Sequence, residues 1–130
     1  MARKPFLMRR VSSTITVLMG GQPSGMQCNF GQKRCMLCDI LSTDKPDHVL
    51  FECAELEEKR CLLWPQVIAC MPPGMAIDME CYNNARKTQY LISCLHSSFI
   101  NEWSLLYEKV ADFVHSMYAH RKRKYDAMQE

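Results

Sequence analysis

The sequence predicts a small, mainly α-helical domain, and three observations predict it. Between Ser98 and Tyr118 the apolar residues Phe99, Trp103, Leu106, Val110, Phe113 and Met117 alternate spacings of four and three, which places them on one face of a helix. Residues 84 to 97 carry a second helical pattern. A cluster of three cysteines and one histidine between Cys35 and Cys53 sits in turn-rich surroundings that no β-framework explains. At 130 residues the chain fits one unit, and 48% apolar content is enough to build one core.

The elements follow in order. Residues 5 to 19, PFLMRRVSSTITVLM, fit a helical stripe through Leu7, Val11, Ile15, Leu18 and Met19. They also fit a strand alternation through Val11, Ser13, Ile15 and Val17, and the helix is preferred. Gly20 to Gly25, GGQPSG, breaks the chain and leads through a loop into the Cys-rich part. After Cys38, Asp44 or Asp47 is placed to cap a helix expected to run through His48 and Cys53 to about Trp64. Glu55 and Lys59 lie one turn apart in support of it. Pro65 is expected to kink or end that helix, and Met71 to Gly74, MPPG, to stop any continuation. The 99–117 stripe spans fewer than three heptads, so packing on the protein's own core ranks above a coiled coil with a partner.

Net charge is only +2, but it is unevenly spread. Residues 1 to 34 hold Arg3, Lys4, Arg9, Arg10, Lys33 and Arg34 and no acid. From Asp39 to Glu58 seven acids face the single Lys45, and basicity returns at His120 to Lys124, HRKRK. Such an asymmetry suits either a phosphate-binding edge or ordinary solvated faces. The HRKRK tail reads as a helix end favoured by the dipole or as a nuclear-import signal. Apolar runs are far too short to cross a bilayer, and Arg9-Arg10 interrupt the N-terminus before a signal-peptide core develops. The expectation is an intracellular protein, nuclear or cytoplasmic, with no membrane partner.

The chemistry lies in Cys35-x2-Cys38-x9-His48-x4-Cys53. A C-x2-C turn aims two sulfurs at one point, and a His and a Cys with four residues between them match the spacing of a second zinc-finger ligand pair. Eight cysteines might suggest a disulfide scaffold, but a reducing compartment and the tight Cys35/Cys38 pair rank metal first. A redox C-x-x-C pair and plain core packing remain the alternatives. Three thiolates and one imidazole would fill a tetrahedral sphere, so one Zn2+ held by Cys35, Cys38, His48 and Cys53 would be structural. Cys28 ranks below these four as a ligand. Cys61, Cys70, Cys81 and Cys94 are expected to behave as small buried hydrophobes. The organisation is then a basic helix and loop over 1–34, a CCHC zinc knuckle and following helix over 35–70, and a helical region over 75–130, packed as one unit.

CMLCDILSTDKPDHVLFECAELEEKR resembles the zinc knuckle that follows the polymerase domain in reverse transcriptases of non-LTR, LINE-like retrotransposons. That pattern runs C-x-x-C, an acidic turn, H-x-L-F-x-C and an acidic helix ending near an Arg. Here Asp44 and Asp47 precede His48, Val49 to Glu52 fill the His–Cys gap, and Glu57, Glu58 and Arg60 follow. Upstream, TVLMGGQPSG is similar to the family's Q-x-L-T-G-H-G segment, with Met19-Gly20-Gly21 standing where Thr-Gly-His is expected. The resemblance covers residues 6 to 68 and implies a part in engaging RNA or target DNA during reverse transcription.

This chain has no Tyr-x-Asp-Asp, no adjacent aspartate pair for magnesium, no P-loop and no activated-serine motif. It is therefore expected to be non-catalytic. Arg9, Arg10, Lys33 and Arg34 are the candidate nucleic-acid contacts, mostly to phosphates and therefore salt-sensitive; Phe30 is a stacking candidate for which core packing ranks first. The alternative is a protein-interaction module in which the 99–117 stripe meets a reverse transcriptase or another protein and zinc is purely structural.

Overall fold

A computed structural model describes residues 5–18, 37–38, 46–95 and 104–128, with the side chains of the first segment described from Ser12 onward. Among these residues all regular structure is helical: α1 Pro5–Leu18, α2 Pro46–Phe51, a 3-10 turn Ala54–Leu56, α3 Glu57–Ala69, α4 Pro73–Cys81, α5 Asn84–Leu95 and α6 Ser104–Met128. The helical alternative for the first segment holds, and the strand alternation gives way to it.

The long helix α6 is the spine. α1 and α3 lie along it, α2 packs on both α5 and α6, and α1 also reaches α5. The reason is in its sequence: Leu106, Val110, Phe113 and Met117 are buried, and so are Tyr107, Val114 and Tyr118 beside them. With apolar residues over so wide an arc, α6 accepts neighbours on several sides. Removing each such side chain from water contributes about 1.5–3 kcal/mol, which outweighs the weak local preference of Val, Tyr and Phe for a helix. Phe99 and Trp103, the start of the stripe, lie outside the described residues.

Two local expectations are corrected and a third is extended. The expected helix from His48 to Trp64 is two helices. α2 closes when the His48 carbonyl accepts both the Glu52 N–H at 2.9 Å and the Cys53 N–H at 2.8 Å, and Cys53 then turns extended. α3 starts only at Glu57. Pro65 does not end α3, which runs on to Ala69. Its missing N–H costs one helical bond, but the flanking Trp64 and Val67 pack into the core and hold the turn in place. MPPG does stop α3, which ends at Ala69, and it also opens the next helix: Pro72 is the N-cap, Pro73 takes the first helical position where its lack of an N–H is harmless, and the Pro72 carbonyl accepts the Ala76 N–H at 3.0 Å. Asn83 then caps α5, its side-chain oxygen accepting the Arg86 N–H at 2.8 Å.

Candidate metal centre

The centre is built from the end of α2 outward. α2 presents a buried face of Pro46, His48, Val49 and Leu50 to the core. Phe51 fixes its roll: the ring stands edge-on to Trp64 of α3 at 5.0 Å between centroids and meets Phe113 of α6 at 6.0 Å. With Trp64 also 5.2 Å from Phe113, three rings from three helices lock the platform that carries His48.

Breaking the helix after Phe51 is what brings His48 and Cys53 together. In an unbroken helix His48 and Cys53, five residues apart, would point about 140° away from each other. The turn at Glu52 reverses Cys53 onto His48 instead. Leu37, buried in the core, anchors the turn that delivers Cys38 from the other side.

The Sγ of Cys38 lies 3.4 Å from Nε2 of His48. The ligand atoms of Cys38, His48 and Cys53 all fall within 4.8 Å of one another, with His48 and Cys53 buried and Cys38 half-buried. For Zn–S and Zn–N bonds of about 2.3 and 2.0 Å at tetrahedral angles, the sulfur-to-nitrogen separation is about 3.5 Å. The Cys38–His48 separation matches that value, and two thiols and an imidazole within 4.8 Å of one another are a donor set that could hold a zinc ion. Cys35, Lys33 and Arg34 lie outside the described residues, as do Cys28 and Phe30. Arg9 and Arg10 fall on α1, their side chains outside the described part.

Two surrounding residues belong beside the site and were not among the residues expected there. Glu52, one turn beyond His48, sets a carboxylate oxygen 3.6 Å from Nδ1, on the ring edge away from the thiols. A carboxylate charge on that side of an imidazole favours a proton on Nδ1, which would leave Nε2 free to bind a metal. The i, i+4 spacing in the sequence carried that signal. Arg60, from α3, crosses beneath the turn: its Nε donates to the Leu50 carbonyl and its Nη2 to the Cys53 carbonyl, both at 2.7 Å, while Nη1 pairs with Glu57. No local spacing reports contacts to carbonyls ten and seven residues upstream.

The other cysteines divide. Cys94 is buried, and burial pushes its thiol up to about 11. Cys70 is half-buried. Cys61 and Cys81 are exposed, contrary to the expectation of core packing. Cys61 lies on the outer face of α3, where its thiol donates to Glu57 at 3.3 Å, and that carboxylate raises its pKa.

The basic end of α6 meets the acidic segment. Lys124 Nζ is 3.6 Å from Glu55 on the 3-10 turn, and Lys122 pairs with Asp126 at 2.7 Å. His120 has its pKa lowered, by burial first and then by Lys124, Arg123 and Lys59 around it, against a smaller opposing pull from Glu58. No described helix is long and apolar enough to cross a membrane. Comparison with known proteins finds no matching family, no curated protein and no solved structure.

Proposed function

We propose that this chain is a non-catalytic zinc-binding module that engages RNA or DNA, resembling the C-terminal part of a non-LTR retrotransposon reverse transcriptase. The observation that carries the reading is the convergence of the ligand atoms of Cys38, His48 and Cys53 to within 4.8 Å of one another. Cys35, three residues before Cys38, is the fourth ligand in this reading. Three thiolates and an imidazole leave no position for a reacting water, so the metal staples the turn between α2 and α3 against the segment before it.

Engagement of nucleic acid rests on the family resemblance and on charge. The acid-free segment 1–34 runs into the knuckle through Lys33 and Arg34. Lys59, Arg123 and Lys124 add positive potential around His120, partly offset by Glu55 and Glu58. Contacts of this kind go to phosphates and weaken steeply with salt. The partner-helix reading is less favoured, because Leu106, Val110, Phe113 and Met117 are already covered by the protein's own helices.

The test is fluorescence anisotropy of labelled single-stranded RNA and DNA oligonucleotides titrated with the zinc-loaded chain at several salt concentrations. The expected result is binding that falls with salt and falls further with Lys33→Ala plus Arg34→Ala. Absence of binding at low salt would remove the nucleic-acid role and leave the interaction module.

A further inference from the structure

We infer that Arg60 is the positioning residue of the metal centre: it sets metal affinity by bracing the two carbonyls that flank the turn between His48 and Cys53, without touching the metal. The inference rests on the zinc reading above and adds a residue to it.

The last carbonyls of a helix have no partner within the helix. Leu50, in the last turn of α2, is buried, so its carbonyl needs an internal donor. The Arg60 guanidinium supplies one to Leu50 in the last turn of α2 and another to Cys53, whose own thiol is a ligand, each at 2.7 Å. Arg60 is itself only 8% exposed, and Glu57 on the same helix balances its charge. The fork therefore fixes the distance from the end of α2 to the backbone of Cys53. That distance decides whether the Cys53 sulfur meets Nε2 of His48.

A planar fork is needed for this task. Lysine keeps the charge but offers a single point donor on a flexible stem, and cannot hold two carbonyls at a set separation. Loss of such outer contacts in metal sites costs about 10–100-fold in affinity. Arg60→Lys should fall in that range.

The experiment measures zinc affinity by competition with a chromophoric chelator for the full chain, Arg60→Lys, Arg60→Ala and Thr14→Val. Thr14→Val serves as the control because it loosens the Thr14–His115 contact between α1 and α6, a pair that includes neither Arg60 nor the two carbonyls it braces. In parallel, Co2+-loaded protein is examined by absorption for the ligand-field bands of a tetrahedral thiolate site. The expected result is an affinity loss of about 10–100-fold for Arg60→Lys with shifted Co2+ bands, and neither for Thr14→Val. Equal losses in Arg60→Lys and Thr14→Val would overturn the positioning role, since general destabilisation would then explain both. So would an Arg60→Lys chain that binds zinc as the unaltered one does. If Arg60→Ala does not fold, Arg60→Lys carries the test. An unaltered chain that takes up no zinc overturns the zinc reading itself, an outcome distinct from both.

Discussion

The Oγ1 of Thr14 on α1 and Nε2 of His115 on α6, 101 residues apart in the chain, lie 3.2 Å from each other. Thr14 is completely buried and His115 is half-buried, so the contact is a partly buried polar bond between the two helices. It ties the segment carrying Arg9 and Arg10 to the spine of the fold.

Thr14→Val should lower stability by about 1 kcal/mol, the net worth of a typical internal hydrogen bond, because valine keeps the shape and removes the hydroxyl. The shift of the urea midpoint at constant slope measures it.

Phe113 is the meeting point of three helices, 1% exposed and touching both Phe51 and Trp64. Phe113→Ala should cost about 3–5 kcal/mol, near the upper end for core truncations. Because Phe51 sets the roll of α2, the same change should also loosen the centre. Urea unfolding with and without added Zn2+ reports both effects, the added metal restoring part of the loss.

Much of the fold was legible because helical periodicity is a local signal. The α6 stripe, the α5 pattern and the position of α1 all appear as apolar residues recurring at turns of the helix. What could not be read were the places where a bond across the fold overrules a local rule. Pro65 sits inside α3 because the packing of Trp64 and Val67 holds the turns on either side. MPPG starts α4 because proline is as good an opener as it is a breaker. At the centre, Cys38, His48 and Cys53 followed from spacing, and the break after α2 that lets them converge did not. Arg60 was invisible for the same reason, since its partners are backbone carbonyls. The opposite charges of 39–58 and 120–124 were plain in the sequence, and their meeting at Lys124 and Glu55 was not.

The cysteines should separate by accessibility. Brief iodoacetamide treatment of the native protein followed by mass spectrometry should label the exposed Cys61 and Cys81 and spare Cys94, which is buried and has its pKa pushed up to about 11. Cys61 should react more slowly than an ordinary exposed thiol because Glu57 holds its proton, and Glu57→Gln should speed it.

His120 makes a small pH-dependent contribution to stability. Its pKa in the folded protein lies below the ordinary 6.5, by burial and then by Lys124, Arg123 and Lys59. The unfolded chain thus binds the proton more readily. The stabilisation is present above that value and is lost as pH falls through 6.5 toward the lowered pKa. Wild type should lose stability across this window relative to His120→Gln. NMR titration should show the His120 pKa rising with salt as the neighbouring cations are screened.

The central claim is a structural zinc held by three thiolates and one imidazole. X-ray absorption at the zinc edge, on protein purified without added metal and shown to hold about one zinc per chain, tests it most directly. Three sulfurs at about 2.3 Å and one nitrogen at about 2.0 Å are expected, with one sulfur lost in Cys38→Ser. A shell of oxygen and nitrogen without sulfur, or a fully folded chain that retains no zinc, would contradict it.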